Sequence, residues 1–108
     1  MIITTTSNVE GAHIEEYLQL VSANVVIGTN IFSDWFASVT DILGGKSRTY
    51  QRKLDDLYAE ALKRVEERAA KLGADAVVGL KMDFGEVSGK EKSMFMVSAV
   101  GTAVKLRK

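Results

Sequence analysis

Side chains that can bind a soft metal or exchange a proton near neutral pH are few in this sequence. It has one histidine and no cysteine. Thiolate metal sites, thiol nucleophiles, iron–sulfur clusters and disulfides are therefore excluded. The histidine, His13, stands beside Glu15 and Glu16. In an extended strand His13 and Glu15 point the same way. One imidazole and one carboxylate make half of the ligand set zinc takes. Symmetry-related copies around an axis would have to supply the rest, and the plainer reading is a surface histidine. Met82, Met94 and Met96 offer thioethers of the kind that Cu(I) accepts, although methionines at strand spacing are more often core filler.

A second stretch, Gly44-Gly45-Lys46-Ser47, resembles the end of a phosphate-binding loop entering a helix. The full pattern needs a glycine at position 40, where Thr40 stands, and a strand before the loop rather than a helix, so an NTPase is not expected. A simpler anion site remains open. Free N–H groups at the start of the following helix, with Lys46, Ser47 and Arg48 beside them, suit a phosphate or carboxylate. Gly44, Gly45 and Tyr50 complete this candidate ligand stretch. The competing reading is structural, with two glycines turning the chain and Ser47 capping the helix.

Three other patterns carry less. Asp83-Phe84-Gly85 spells a kinase magnesium motif in a chain far too short for a kinase, and is expected to be an edge-strand turn. Asp34, Ser38 and Asp41 share one helical side, which in most proteins is a solvated face. No Ser-His-Asp set or paired carboxylates can be assembled around the lone histidine. The expectation is a protein that is not an enzyme and needs no cofactor.

The elements that must position these residues follow from periodicity. Ile2 to Thr6 is short and β-branched, a candidate strand. From His13 to Gly28 the pattern alternates, with Tyr17, Val21, Ala23, Val25 and Ile27 on one side and Leu18, Leu20 and Val26 on the other. Asn30 caps a short helix from Ile31 to Leu43 with an aromatic-rich apolar face. Ser47 to Leu72 gives the clearest pattern. Tyr50, Leu54, Leu57, Tyr58, Ala61, Leu62, Val65, Ala69 and Leu72 fall within an arc of roughly 140°. Glu60–Arg64 and Glu67–Lys71 pair on the opposite side at i, i+4, and the helix is about 38 Å long. Ala76 to Val87 and Ser93 to Lys105 form a hairpin around Ser88-Gly89-Lys90-Glu91. In the last strand Met94, Met96, Val100, Val104 and Leu106 face one way and Phe95, Val97, Ala99 and Ala103 the other.

The fold class is thus α+β: a small antiparallel sheet of three to four strands packed on one long and one short helix, as a single domain over residues 1–108. The element order is strand-strand-helix-helix-strand-strand. The chain has 108 residues, 46% hydrophobic and 26% charged, which suits one compact core. Lys and Arg number 14 against 14 Asp and Glu, so no global field draws nucleic acid or anionic membrane. The start has neither a basic region nor an apolar run of signal-peptide type, and the default compartment is the bacterial cytoplasm. Both sheet faces are apolar while one long helix covers only one. The second face must meet the short helix, another subunit or water, and burial favours a homo-oligomer.

Several stretches together resemble a known family. They are Thr4-Thr5, Gly11, Tyr17-Leu18 and Val26-x-Gly28, then Asn30-Ile31-Phe32-x-Asp34 and Asp41-Ile42-Leu43-Gly44-Gly45-Lys46-Ser47-x-x-Tyr50. Leu72-Gly73-Ala74-Asp75-Ala76-Val77-Val78-Gly79 and Gly101-Thr102-Ala103-Val104 complete the set. They resemble the YbjQ family of small uncharacterised bacterial proteins, which carries a heavy-metal-binding label. The resemblance implies a dodecin-like subunit in a ring-shaped homopentamer, with no reaction established. Two departures stand out: Ala23-Asn24 replaces an expected Gly-Glu pair, and Lys46 replaces a common Arg. The missing acid removes a residue that a metal site would have used.

Overall fold

In the computed structural model the described residues are 1–27, 46–88 and 93–107. Four strands and one long helix fall within them. They are β1 (Ile2–Ile3), β2 (His13–Ile27), α1 (Lys46–Lys71), β3 (Ala76–Ser88) and β4 (Ser93–Arg107). The short helix expected over Ile31 to Leu43, with Asp34, Ser38 and Asp41, lies outside the described residues. So do Gly28, Gly44 and Gly45.

The helix forms where periodicity puts it, one residue earlier at each end. Leu57, Ala61, Val65 and Ala69, four residues apart, are all buried and make one row along the helix. Leu54, Tyr58 and Leu62 are half-buried beside them. Two alanines in that row keep the helix axis close to the sheet. Chain reversal follows a helix-ending motif in which Gly73 takes φ +77°. There the Ala74 N–H donates to Ala69 O at 3.1 Å and the Gly73 N–H to Ala70 O at 3.0 Å. These bonds satisfy carbonyls that the helix end would otherwise leave unpaired.

The sheet order is β1-β3-β4-β2. β3 and β4 pair antiparallel as expected, and β2 runs antiparallel to β4; the turn expected at Ser88-Gly89-Lys90-Glu91 lies, beyond Ser88, outside the described residues. The fully antiparallel sheet needs correction, because β1 pairs parallel to β3, making the sheet mixed. β1 is also shorter than the expected Ile2 to Thr6. The residues beyond it still bond to β3: Gly79 N–H reaches Thr6 O at 2.8 Å and Leu80 N–H reaches Thr4 O at 3.0 Å.

Those two donors are free because β3 carries a bulge. Val78 pairs with Thr102 and Lys81 with Val100, so Gly79 and Leu80 together oppose Gly101 alone. The extra residue reverses the phase of the strand. Val77 and then Leu80 both turn to the helix side, where both are buried. Gly79 takes φ +61°, a region open mainly to glycine. β2 has two such irregularities, at Ile14/Glu16 and Tyr17/Gln19. The second overturns part of the expected face assignment. Tyr17 does not share the side of Val21: it is 67% exposed, while Leu18 packs against the core.

One core cluster lies between α1 and the sheet. It joins the helical row to Val21, Ala23 and Val25 of β2 and to Val97, Ala99 and Ala103 of β4. α1 touches β2 and β4 far more than β3. On the other face a smaller cluster, Ala76, Val78 and Val104, is covered by Val9, Ile14 and Leu106. Farther along that face the residues are open: Leu20 is 70% exposed and Val26 50%. The expectation that both faces are apolar holds, and among the described residues only one is fully covered.

Two substitutions test this architecture. A Cβ at Gly101 would lie 2.6 Å from Val77 Cγ1 and 3.3 Å from Val78 O. Val77 and Val78 are both buried in the stretch of β3 leading into the bulge, so Gly101→Ala should cost about 1–3 kcal/mol, read as a lower urea midpoint at unchanged slope. An unchanged midpoint would mean that the bulge yields freely. At the other end of β4, Asp75 Oδ2 accepts the Leu106 N–H at 2.9 Å. Asp75→Ala should lower stability by about 1 kcal/mol and speed hydrogen exchange at Leu106 while leaving Val97 protected.

Candidate functional site

The anion-binding stretch can be placed only through its backbone. α1 begins at Lys46, so Lys46, Ser47, Arg48 and Tyr50 lie in its opening turns. Their side chains are outside the described residues. Ser47 is inside the first turn rather than before it, which removes it from the capping position assigned to it. No acidic residue stands in that turn. Lys46 and Arg48 thus belong to the opening turn of a 26-residue helix, at the positive end of its dipole, and no acidic residue shares that turn. Such an end favours a bound anion on electrostatic grounds.

His13 opens β2 and is exposed, as are Glu15 and Glu16. The cross-strand partner of His13 is Arg107, and Glu16 pairs with Lys105. The irregularity between Ile14 and Glu16 falls on Glu15 and interrupts the simple alternation expected to align it with His13. Among the described residues no group of three or more His, Cys, Asp or Glu is arranged to hold a metal ion. The methionines are not brought together either. Met82 packs against the core on the helix side. Met94 and Met96 alternate with buried Phe95 and Val97 and so face the other way.

Asp83-Phe84-Gly85 is not a turn but a regular part of β3, paired with Ser98, Val97 and Met96. Phe84 stacks on Phe95 with ring centroids 5.8 Å apart and planes at 30°. The motif's phenylalanine therefore extends the apolar layer on the helix side. Of the two expected helix-surface ion pairs, Glu60–Arg64 forms, at 3.2 Å. Both side chains are well exposed, which limits its contribution to stability.

Sequence reasoning missed a groove of about 360 Å³ where β2 passes the end of α1. Gln19, Leu20, Ser22, Arg68, Lys71 and Leu72 line it. Arg68 and Lys71 are cations in the last turn of the helix, where the negative end of its dipole favours them. In sequence they belong to a charged helical face and carry no mark of a groove. Arg68 is also committed: its Nη1 donates to the carbonyl of Ser22. Arg64 does the same to Asn24 O at 3.2 Å.

Comparison with known proteins matches this architecture to a family. Residues 1–107 match the family model YbjQ, described as "Putative heavy-metal-binding". A UPF0145 protein of Pasteurella multocida (strain Pm70) is 46% identical over 107 residues, covering 99% of this chain and all of that one. A UPF0145 protein of Actinobacillus pleuropneumoniae serotype 5b (strain L20) is 48% identical over 107 residues, with the same coverage. A crystal structure of a DUF74-family protein of unknown function from Pediococcus pentosaceus superposes with a TM-score of 0.67. It is 21% identical, covers 99% of this chain and 98% of its own, and supports the fold. With the family model spanning nearly every residue and full-length relatives near half identity, this chain belongs to the YbjQ (UPF0145) family.

Proposed function

We propose that this protein is a non-enzymatic, cytoplasmic homo-oligomer that serves as a binding or scaffold protein. In this reading the assembly is a dodecin-like pentameric ring, and a small anion or metabolite is held where subunits meet. One observation carries the assembly. The sheet face away from α1 presents Leu20, Val26, Met94 and Val100, each at least 40% exposed, and Tyr17 lies beside them. Burying a Leu or Val side chain contributes about 1.5–3 kcal/mol. A second copy offers an apolar surface to cover this face, and the chain has no net charge to hold copies apart.

The ligand stretch in this reading is Gly44-Gly45-Lys46-Ser47-Arg48 with Tyr50. What supports it is a pair of basic residues, with no acidic residue, in the turn at the positive end of α1. A second reading is metal binding through His13, Glu15 and other carboxylates repeated around the ring. It draws on the description attached to the family model. The absence of cysteine argues against a soft metal.

Leu20→Asp with Val26→Asp should convert the assembly to single chains with a retained far-UV spectrum. An unchanged mass in light scattering would remove the far face from the interface. Titration with inorganic phosphate and with a nucleoside triphosphate should give saturable heat that falls at least about tenfold in affinity in Lys46→Ala/Arg48→Ala, the loss of one to two charge-assisted contacts. No heat with the unmodified protein would end the anion reading. Elemental analysis of the native assembly decides the alternative, which requires stoichiometric metal per chain.

A further inference from the structure

The last strand of a sheet exposes a row of main-chain donors and acceptors that another strand can complete. β2 occupies that position. Its first half is irregular: both register shifts fall between Ile14 and Gln19, and bulges of this kind spoil an edge for pairing. From Gln19 to Ile27 the register is unbroken. This regular half includes Val21-Ser22-Ala23-Asn24-Val25-Val26-Ile27, with no charge and no proline. Segments of that composition are the ones that add to each other edge to edge.

The charges missing from the strand arrive from the helix. Beside the buried row Leu57, Ala61, Val65 and Ala69, the next row of α1 is Glu60, Arg64 and Arg68. Arg64 Nη1 donates to Asn24 O at 3.2 Å, and its Nε is held by Glu60 Oε1 at 3.2 Å. Arg68 Nη1 donates to Ser22 O. Ser22 and Asn24 are two residues apart, so their main-chain groups point the same way, and in an edge strand the set not bonded to β4 points outward. An incoming strand would have to donate to those same two carbonyls and pass through the space that the guanidinium groups fill.

We infer that Arg64 and Arg68 guard the regular half of the β2 edge, closing it to strand addition by a second copy of this chain. Self-association is thereby directed to side-chain packing on the far face. The guard acts at the edge and does not depend on that face being an interface.

Arg64→Ala/Arg68→Ala tests the inference, read by light scattering, thioflavin fluorescence and residue-resolved hydrogen exchange. The expected result is growth to at least about twice the mass of the unmodified assembly through new edge pairing. A thioflavin signal and slower exchange at the Ser22 and Asn24 amides should accompany it. Arg64→Lys/Arg68→Lys keeps charge at the edge and should stay at the original mass. The same alanine pair placed in a far-face variant that leaves the β2 edge untouched, Met94→Asp/Val100→Asp on the central strand β4, must also grow, which separates this inference from the far-face reading. An alanine variant with unchanged mass and faster exchange at Ser22 and Asn24 overturns it. So does a variant that loses its native far-UV spectrum without growing, since the arginines would then serve only to hold α1 in place.

Discussion

The close seating of α1 on β2 and β4 is the constraint from which the rest of the structure follows. Ala61, Val65 and Ala69 of the helix share one buried cluster with Ala23, Val97, Ala99 and Ala103 of the sheet. Small residues on both sides bring the helix near the strands, and that proximity lets Arg64 and Arg68 reach the outer edge of β2. It also limits coverage. A helix seated over β2 and β4 leaves Phe84 of β3 outside its reach, 40% exposed beside Phe95. Among the described residues the opposite face receives the short Val9 cover at one end.

Glycine at two positions makes this seating compatible with the sheet. The bulge at Gly79 and Leu80 turns Val77, Leu80 and Met82 all toward the helix side, which strict alternation could not do. Gly101 leaves room beneath it, and the amides displaced from the β4 ladder are taken up by Thr4 and Thr6. The parallel β1 is therefore less an independent strand than the acceptor side of the bulge.

How much of this was legible depended on the length of each pattern. The α1 row recurs over seven turns, and its residues emerged almost as assigned. The faces of β4 were also read correctly, because that strand carries no extra residue. β2 was misread at Tyr17 and Leu18 because a bulge inserts one residue into a two-residue period and leaves no composition signal. The pairing of Ile2–Ile3 was not legible for a different reason: two residues carry no information about direction. Arg64 was read only as the ion-pair partner of Glu60 and Arg68 was not singled out, since their partners are carbonyls 40 and 46 positions away. Of the candidate site, the basic helix start was legible from residue types, whereas the groove beside Leu20 exists only through the packing of α1 on β2.

An apolar sheet face in a chain without cysteine points toward assembly more strongly than toward metal chemistry. The solution mass of the unmodified protein, measured by light scattering at micromolar concentration, tests this most directly. A single discrete species at a whole multiple of the chain mass, five copies in the proposed ring, is the predicted result. A single-chain mass at that concentration would contradict it.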